Sequence, residues 1–505
     1  MSALNSNVPV AVIGAGAMGA GIAQVAASAG HRVWLYDNRP GAAAQAIDGI
    51  ARQLAKRVDN GKLAASARDA CLAALVPADS LERLADAGLV IEAIVENLEV
   101  KQALLQQLES LCAPDCILAS NTSSISITRL GAGMRRPERL VGMHFFNPAP
   151  VMALVEVING LATDPNVAAR VLATALAWGK QPVLARSTPG FIVNRVARPF
   201  YAESLRLLQE GAADCASLDA LLREAGGFAM GAFELTDLIG HDVNYAVTCS
   251  VFDAYYQDMR FQPSQIQKEL VDAGHYGRKS GRGFYDYREG AVRPSAASLD
   301  SPAQVPAVIV EGEAGLLQPL LERLAEQGVS ISRRAGRGLL RVGDASLALS
   351  DGRLASQRAA DDGLTELVLL DLALDYRRCS RVGISWANGT SPKAVDQVVA
   401  LLNAAGIAVT PLRDSPALCV LRTVAMLANE ATDALLQGVA SAADIDLAMR
   451  AGVNYPRGPL AWADQLGADT LVTVLDHLQA AYGEERYRPS LQLRRQLAEG
   501  ARFHE

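Results

Sequence analysis

Two side chains and one loop carry the chemistry available to this sequence. His144 ends an apolar run over 139–145, and Glu156 follows twelve residues later in a second run over 153–158. An imidazole titrates near neutral pH, so His144 is suited to take the hydroxyl proton of a secondary alcohol as the carbon gives up its hydride. A carboxylate on a neighbouring strand would hold the ring in one tautomer and stabilise the imidazolium, and Glu156 is placed to supply it. The hydride needs an acceptor. Residues 10–13 read as a strand running straight into Gly14-Ala15-Gly16-Ala17-Met18-Gly19, and 20–29 continues as a helix. The first glycine permits a tight turn, the second lets backbone reach a pyrophosphate, and the third lets helix and strand pack closely. The helix N-terminus then offers unpaired N–H groups to the phosphates. Asp37, eighteen residues beyond Gly19 at the end of the next strand, suits the adenosine ribose hydroxyls and repels a 2′-phosphate. The cofactor expected is therefore NAD rather than NADP, a preference that Arg39 weakens only slightly.

These groups need a frame, and the hydrophobic pattern supplies one. Apolar β-rich runs at 10–13, 32–36, 89–95, 116–120, 139–145 and 153–158 alternate with helical spacing at 42–57 and 98–111. That is the pattern of a parallel sheet covered on both faces, and it predicts an α/β dinucleotide-binding (Rossmann) domain over 1–186. Thr188-Pro189-Gly190 breaks the chain, and an all-α domain is expected over 187–287. A Ser-, Ala- and Pro-rich linker follows at 291–304. Strand and helix alternation resumes over 306–412, with strands at 307–310 and 381–386 and a helix at 392–405, as in a reduced Rossmann-like domain. Helical texture returns over 413–505. An offset of 227 places Pro189 on Pro416, Arg195 on Arg422, Glu203 on Glu430, Asp219 on Asp446 and Gly231 on Gly458 without a gap, which marks an internal duplication. Asn194 falls on Leu421, and the first strand of the reduced domain leads into Glu311-Gly312-Glu313 rather than a glycine triplet. The second copy is thus expected to be non-catalytic, with one active site per chain.

Composition excludes several classes. A net charge of −7 over 505 residues lacks the basic face that general nucleic-acid binding needs. Cysteines 71, 112, 116, 215, 249, 379 and 419 form an odd, scattered set, which suits reduced thiols in a cytoplasm, and no ligand cluster predicts a metal. The first apolar run, 8–13, is too short for a membrane span and lacks a basic flank, so neither export nor insertion is expected.

Four longer strings carry a family resemblance. Leu118-Ala119-Ser120-Asn121-Thr122-Ser123-Ser124, Gly142-Met143-His144-Phe145-Phe146-Asn147-Pro148, Leu154-Val155-Glu156-Val157 and Thr188-Pro189-Gly190-Phe191-Ile192-Val193-Asn194-Arg195 resemble the signatures of short-chain L-3-hydroxyacyl-CoA dehydrogenases of fatty acid metabolism, over residues 8 to about 287. The resemblance implies NAD-dependent oxidation of the 3-hydroxyl of an acyl-CoA thioester. It assigns catalysis to His144 and Glu156, with Ser123 and Asn194 hydrogen-bonding substrate oxygens, and puts Glu96, Asn121, Ser123 and Asn147 on the cofactor side with Lys101 nearby. Taken singly, Ser123 and Asn194 are also suited to cap helices. Lys56, with Arg57, is the local basic pair for the CoA phosphates, or simply a solvated helix face. The layout with duplicated helical domain resembles the 3-hydroxyadipyl-CoA dehydrogenases of bacterial phenylacetate degradation, with 3-hydroxybutyryl-CoA as the alternative substrate. Arg195 and Arg198 are candidates for a terminal carboxylate, although the recurrence of Arg195 as Arg422 favours a structural role for it. In that family helical domains pair between subunits, so a homodimer or an intrachain pseudo-dimer is expected. A module that senses NAD without catalysis is the non-enzyme alternative, and dehydrogenases of free hydroxy acids, which use a lysine on the helical domain, are a third class.

Overall fold

The computed structural model describes residues 2–504; Met1 and Glu505, the outer ends of the first and last expected domains, lie outside the described residues. Strands β1 (Val10–Ile13), β2 (Val33–Tyr36), β3 (Leu75–Pro77), β4 (Leu89–Glu92), β5 (Ile117–Ser120), β6 (Leu140–Phe145), β7 (Leu154–Asn159) and β8 (Gln181–Arg186) form one sheet in the order β3-β2-β1-β4-β5-β6-β7-β8. Strands β1, β4 and β5 are buried along their whole length, as a sheet covered by helices on both faces requires. The expected all-parallel sheet has one exception. The link between β6 and β7 is too short for a crossover helix, so the two pair antiparallel, which sets His144 directly opposite Glu156. Two strands escaped the sequence reading for local reasons: β3 is three residues long and ends in Pro77, and β8 alternates buried and exposed positions.

The covering helices follow their punctuation. The helix Leu98–Leu111 starts where the Asn97 side chain accepts from the Val100 N–H at 3.0 Å, and Pro165–Ala177 starts with Asp164 accepting from Asn166 N–H and proline in the first turn. The chain sorts into two compact units, the first taking residues through Arg195 together with Gln437–Val453, the second taking the remainder. The sequence reading places 437–453 in the last helical domain, and in the structure this stretch packs along β7 and β8. The Arg186 N–H donates to the Val439 carbonyl at 2.8 Å, and Gly452 sits so close to Leu154 that a Cβ there would fall 2.5 Å from its Cδ2.

The second unit holds a seven-stranded sheet. Strands β9 (Val308–Glu311), β10 (Ile331–Arg334), β11 (Leu339–Val342), β12 (Ala345–Leu349), β13 (Leu367–Leu370), β14 (Arg381–Trp386) and β15 (Ala408–Pro411) run in the order β10-β9-β11-β12-β13-β14-β15. Glu311, where the first sheet has its glycine loop, is held by Arg334 and Arg341. The duplication is visible in backbone conformation: Gly190 and Phe191 have φ of +73° and +48°, and their counterparts Ala417 and Leu418 have +58° and +55°. The helix Val420–Leu436 is buried through most of its length. Its Arg422 is fully buried, with Nε 2.8 Å from Glu203 and Nη1 2.9 Å from Glu210.

Candidate active site

At the carboxyl end of β6, His144 Nδ1 lies 2.7 Å from Glu156 Oε2. Antiparallel pairing places the two residues side by side, and the ring is fixed further by Phe146 at 4.6 Å and Phe191 at 5.9 Å between centroids. Glu156 is fully buried, yet every lone pair that matters has a donor: its Oε1 accepts from the N–H groups of Ile192 and Val193, each at 3.0 Å. A buried carboxylate without such partners would be costly. The geometry fixes Nδ1 as the protonated ring nitrogen and leaves Nε2, which makes no hydrogen bond among the described residues, as the basic one.

Ser123 and Asn194 lie together in the structure: Asn194 Nδ2, on the second residue of the short helix Val193–Val196, is 3.4 Å from the Ser123 carbonyl, directly after the two N–H groups that bind Glu156. Glu96 organises the loop after β5: its Oε1 accepts from Thr122 Oγ1 at 2.6 Å, from the N–H groups of Ser123 and Ser124 at 3.0 Å each, and from Ser124 Oγ at 2.9 Å. Burial pushes its pKa up, but these hydrogen bonds and the charge of Lys101 outweigh that and hold it below the ordinary value. Lys101 is itself buried, its ammonium 2.9 Å and 2.7 Å from the oxygens of Glu92 and 3.4 Å from Glu96. Its contact with the loop after β5 runs through Glu96. Asn121 uses its side-chain carbonyl to accept from the Phe145 N–H at 2.8 Å, tying the end of β5 to that of β6. Asn147 is exposed just beyond Phe146.

The glycine loop fits a dinucleotide. Gly14 has φ of +103°, and a Cβ there would meet the Ala93 carbonyl oxygen at 2.5 Å; a Cβ on Gly19 would land on the Gly14 carbonyl oxygen. Above Gly16, by contrast, space is open, and the helix Ala17–Ser28, with Met18 half-buried in its first turn, begins with no side chain capping its N–H groups. Asp37 directly follows β2, its Oδ2 accepting from the Ala15 N–H at 2.8 Å and its Oδ1 3.0 Å from Arg39 Nε. Burial raises its pKa, but the Arg39 and Ala15 hydrogen bonds prevail and keep it ionised. Lys56 and Arg57 are exposed in the last turn of the helix Ala42–Asp59, with no ion pair among the described residues.

Sequence reasoning missed three contributors. Glu92 anchors Lys101 and the Ser120 hydroxyl from within β4, where an acid inside an apolar run was the available signal. Thr122 binds Glu96, and the backbone N–H groups of Ile192 and Val193 hold Glu156; amide donors leave no mark in residue type. The second copy carries different side chains at the matching positions. Asp371 and Gly383, joined across β13 and β14, stand where His144 and Glu156 stand across β6 and β7. The Asp371 carboxylate reaches the N–H groups of Cys419, Val420 and Leu421 at 3.1, 2.8 and 3.1 Å, the equivalents of residues 192–194. The anchor of the helix is kept and the base is gone.

Comparison with known proteins agrees with this layout. The 3-hydroxyacyl-CoA dehydrogenase NAD-binding domain family matches residues 9–188, the C-terminal domain family of the same enzymes matches 190–287 and again 419–503, and the 3-hydroxybutyryl-CoA dehydrogenase reduced Rossmann-fold domain matches 347–416. The 3-hydroxyadipyl-CoA dehydrogenase of Escherichia coli K12 is 47% identical over 96% of both chains. A probable 3-hydroxybutyryl-CoA dehydrogenase of Bacillus subtilis is 41% identical over 55% of this chain and 97% of its own. A crystal structure of a 3-hydroxybutyryl-CoA dehydrogenase from Escherichia coli K12 superposes with a TM-score of 0.90 at 46% identity, covering 98% of this chain and 99% of that one.

Proposed function

Because this chain belongs to the 3-hydroxyacyl-CoA dehydrogenase family, as an NAD-dependent enzyme, we propose that its substrate is 3-hydroxyadipyl-CoA, oxidised to 3-oxoadipyl-CoA in phenylacetate catabolism in the cytoplasm. The full-length similarity to a protein bearing that activity supports the dicarboxylic substrate. The observation that carries the catalytic reading is the His144–Glu156 pair, with Nδ1 committed at 2.7 Å and Nε2 uncommitted.

In this reading His144 Nε2 takes the 3-hydroxyl proton, and Glu156 stabilises the imidazolium that results. Ser123 and Asn194 orient the substrate oxygens. NAD, when bound, would supply the hydride-accepting chemistry. Gly14, Gly16, Met18 and Gly19 would cradle its pyrophosphate, Asp37 would take the adenosine ribose, releasing Arg39 to do so, and Glu96, with Lys101 behind it, Asn121 and Asn147 would shape the nicotinamide side. Lys56 is assigned to the CoA phosphates. The four domains bounded at 1–186, 187–287, 306–412 and 413–505 are read as one catalytic pair and one non-catalytic copy, the two helical copies forming a pseudo-dimer within the chain. Turnover of 3-hydroxyadipyl-CoA against 3-hydroxybutyryl-CoA tests the substrate: a higher kcat/KM for the adipyl thioester is expected, and a clear preference for butyryl defeats the dicarboxylate assignment.

A further inference from the structure

Two lysines of the first unit are buried among the described residues, and they are partnered differently. Lys101 meets the carboxylates of Glu92 and Glu96. Lys180, 7% exposed, meets none: its ammonium donates to the backbone carbonyls of Ala149 at 2.6 Å and Met152 at 2.9 Å. Taking an ammonium out of water is costly, and burial pulls this one below its ordinary pKa with no carboxylate to offset it. Hydrogen bonds from a charged donor are roughly twice as strong as neutral ones, and here both fall on a single turn.

That turn, 147–152, links β6, which carries His144, to β7, which carries Glu156. It is closed internally by the N–H groups of Val151 and Met152, which both donate to the Pro148 carbonyl, at 2.9 Å and 3.0 Å. It rests on the helix Ala17–Ser28, where a Cβ at Gly21 would fall 3.2 Å from the Ala149 Cβ and 3.1 Å from the Pro150 Cδ. Lys180 itself is well anchored: it stands between the helix Pro165–Ala177 and β8, and its N–H donates to the Ala175 carbonyl at 3.0 Å. Asn147, the first residue of the turn, is exposed, and its side chain makes no hydrogen bond among the described residues. Its place is therefore set by backbone alone, by β6 before it and by the pinned turn after it.

We propose that Lys180 is a positioning residue for the hydride transfer: its ammonium fixes the turn 147–152 and, through it, Asn147 beside the nicotinamide. The role rests on the reading of Asn147 given above. Lys180 takes no part in the proton or hydride transfer itself. Two carbonyls three residues apart converge on one donor atom, which an ammonium with three N–H directions satisfies and an apolar side chain does not. Without that donor the turn is free to shift, and hydride transfer is sensitive to displacements of a fraction of an ångström.

The experiment uses the full chain as wild type, Lys180→Met, Asn147→Ala and the double variant. Leu75→Ala, a core truncation in β3 at the far margin of the sheet, controls for lost stability alone. The measurements are kcat/KM for NAD and the isotope effect on kcat of deuterium at C3 of the hydroxyacyl group, with whichever of the 3-hydroxybutyryl and 3-hydroxyadipyl thioesters turns over faster. Lys180→Met is expected to lower kcat/KM for NAD by about 10- to 100-fold. The isotope effect should rise with it, because hydride transfer becomes slow relative to product release. In the Asn147→Ala background the same substitution should add less than roughly threefold, since residues acting as one unit are not additive. Lys180→Gln, which keeps N–H donors without the charge, should move both quantities the same way by a few-fold, and it is read instead if Lys180→Met does not fold. A lysine variant that only lowers the melting temperature, as Leu75→Ala should, overturns the proposal. So does an effect of full size in the Asn147→Ala background, which assigns the lysine another route. If Asn147→Ala changes both quantities and Lys180→Met neither, this inference fails alone; if Asn147→Ala changes neither, the reading of Asn147 fails and the inference with it.

Discussion

Glu156→Gln isolates the charge behind the base. The replacement keeps shape and burial, but an amide has one acceptor end and one donor end. The N–H groups of Ile192 and Val193, both 3.0 Å from Oε1, demand the acceptor end. Turning the amide over would set its NH2 against two donors and strand them both, at roughly 1–3 kcal/mol for each unsatisfied buried group. The NH2 therefore faces His144, forcing Nδ1 to accept and moving the ring proton to Nε2, the atom meant to receive the substrate's proton. The lost attraction between imidazolium and carboxylate is on the order of 4 kcal/mol for charge centres about 4 Å apart at an effective dielectric constant near 20. That corresponds to a fall in kcat of about 10³-fold. The assay is NADH formation under saturating substrates, with NAD affinity measured separately by fluorescence titration and expected to change little. A variant that keeps kcat within tenfold of wild type refutes the tautomer argument, because no other carboxylate is bonded to the ring among the described residues.

His144→Ala removes the base itself, and turnover should fall by roughly 10²-fold or more with NAD affinity nearly unchanged; retained turnover would take His144 out of the mechanism. Asn194→Leu installs the residue found at the equivalent Leu421, so the fold should tolerate it while kcat/KM drops about 10²-fold, and steady-state kinetics beside a melting curve separates the two effects. Burial pushes Asp371 up to about 6 from 3.8 in spite of its backbone N–H partners. Its contribution to stability is complete below the unfolded value and declines as pH rises through about 6, so the stability gap between wild type and Asp371→Asn should narrow by at most about 3 kcal/mol from pH 4 to pH 7. Urea unfolding at the two pH values checks the sign, and a gap that widens with pH contradicts it.

Most of the nucleotide-binding half was legible because its signals are local. The run into Gly14, the helix Leu98–Leu111 and the acid after β2 each follow from neighbours in sequence, and 98–111 matches its expected bounds. The reduced domain was less legible: β10 to β13 lie on short segments whose partners are set by register rather than by pattern, and β11 pairs antiparallel on both sides. In the site, His144 and Glu156 were readable because the base and its carboxylate are side chains. The support for Glu156 was not, since it comes from peptide N–H groups positioned by the left-handed turn at Gly190 and Phe191. Asp371 was equally silent, an acid whose meaning depends on a strand pairing and a helix start some fifty residues apart.

The stretch Gln437–Val453 gives the C-terminal half a task that catalysis does not reveal. Strand β8 is the last in its sheet, and without the Val439 carbonyl the Arg186 amide would be left as an open donor at that edge for another chain. Trimming the protein to the length of its short relatives would keep every catalytic side chain and still yield a sticky, poorly soluble fragment, unless something else sheltered that margin.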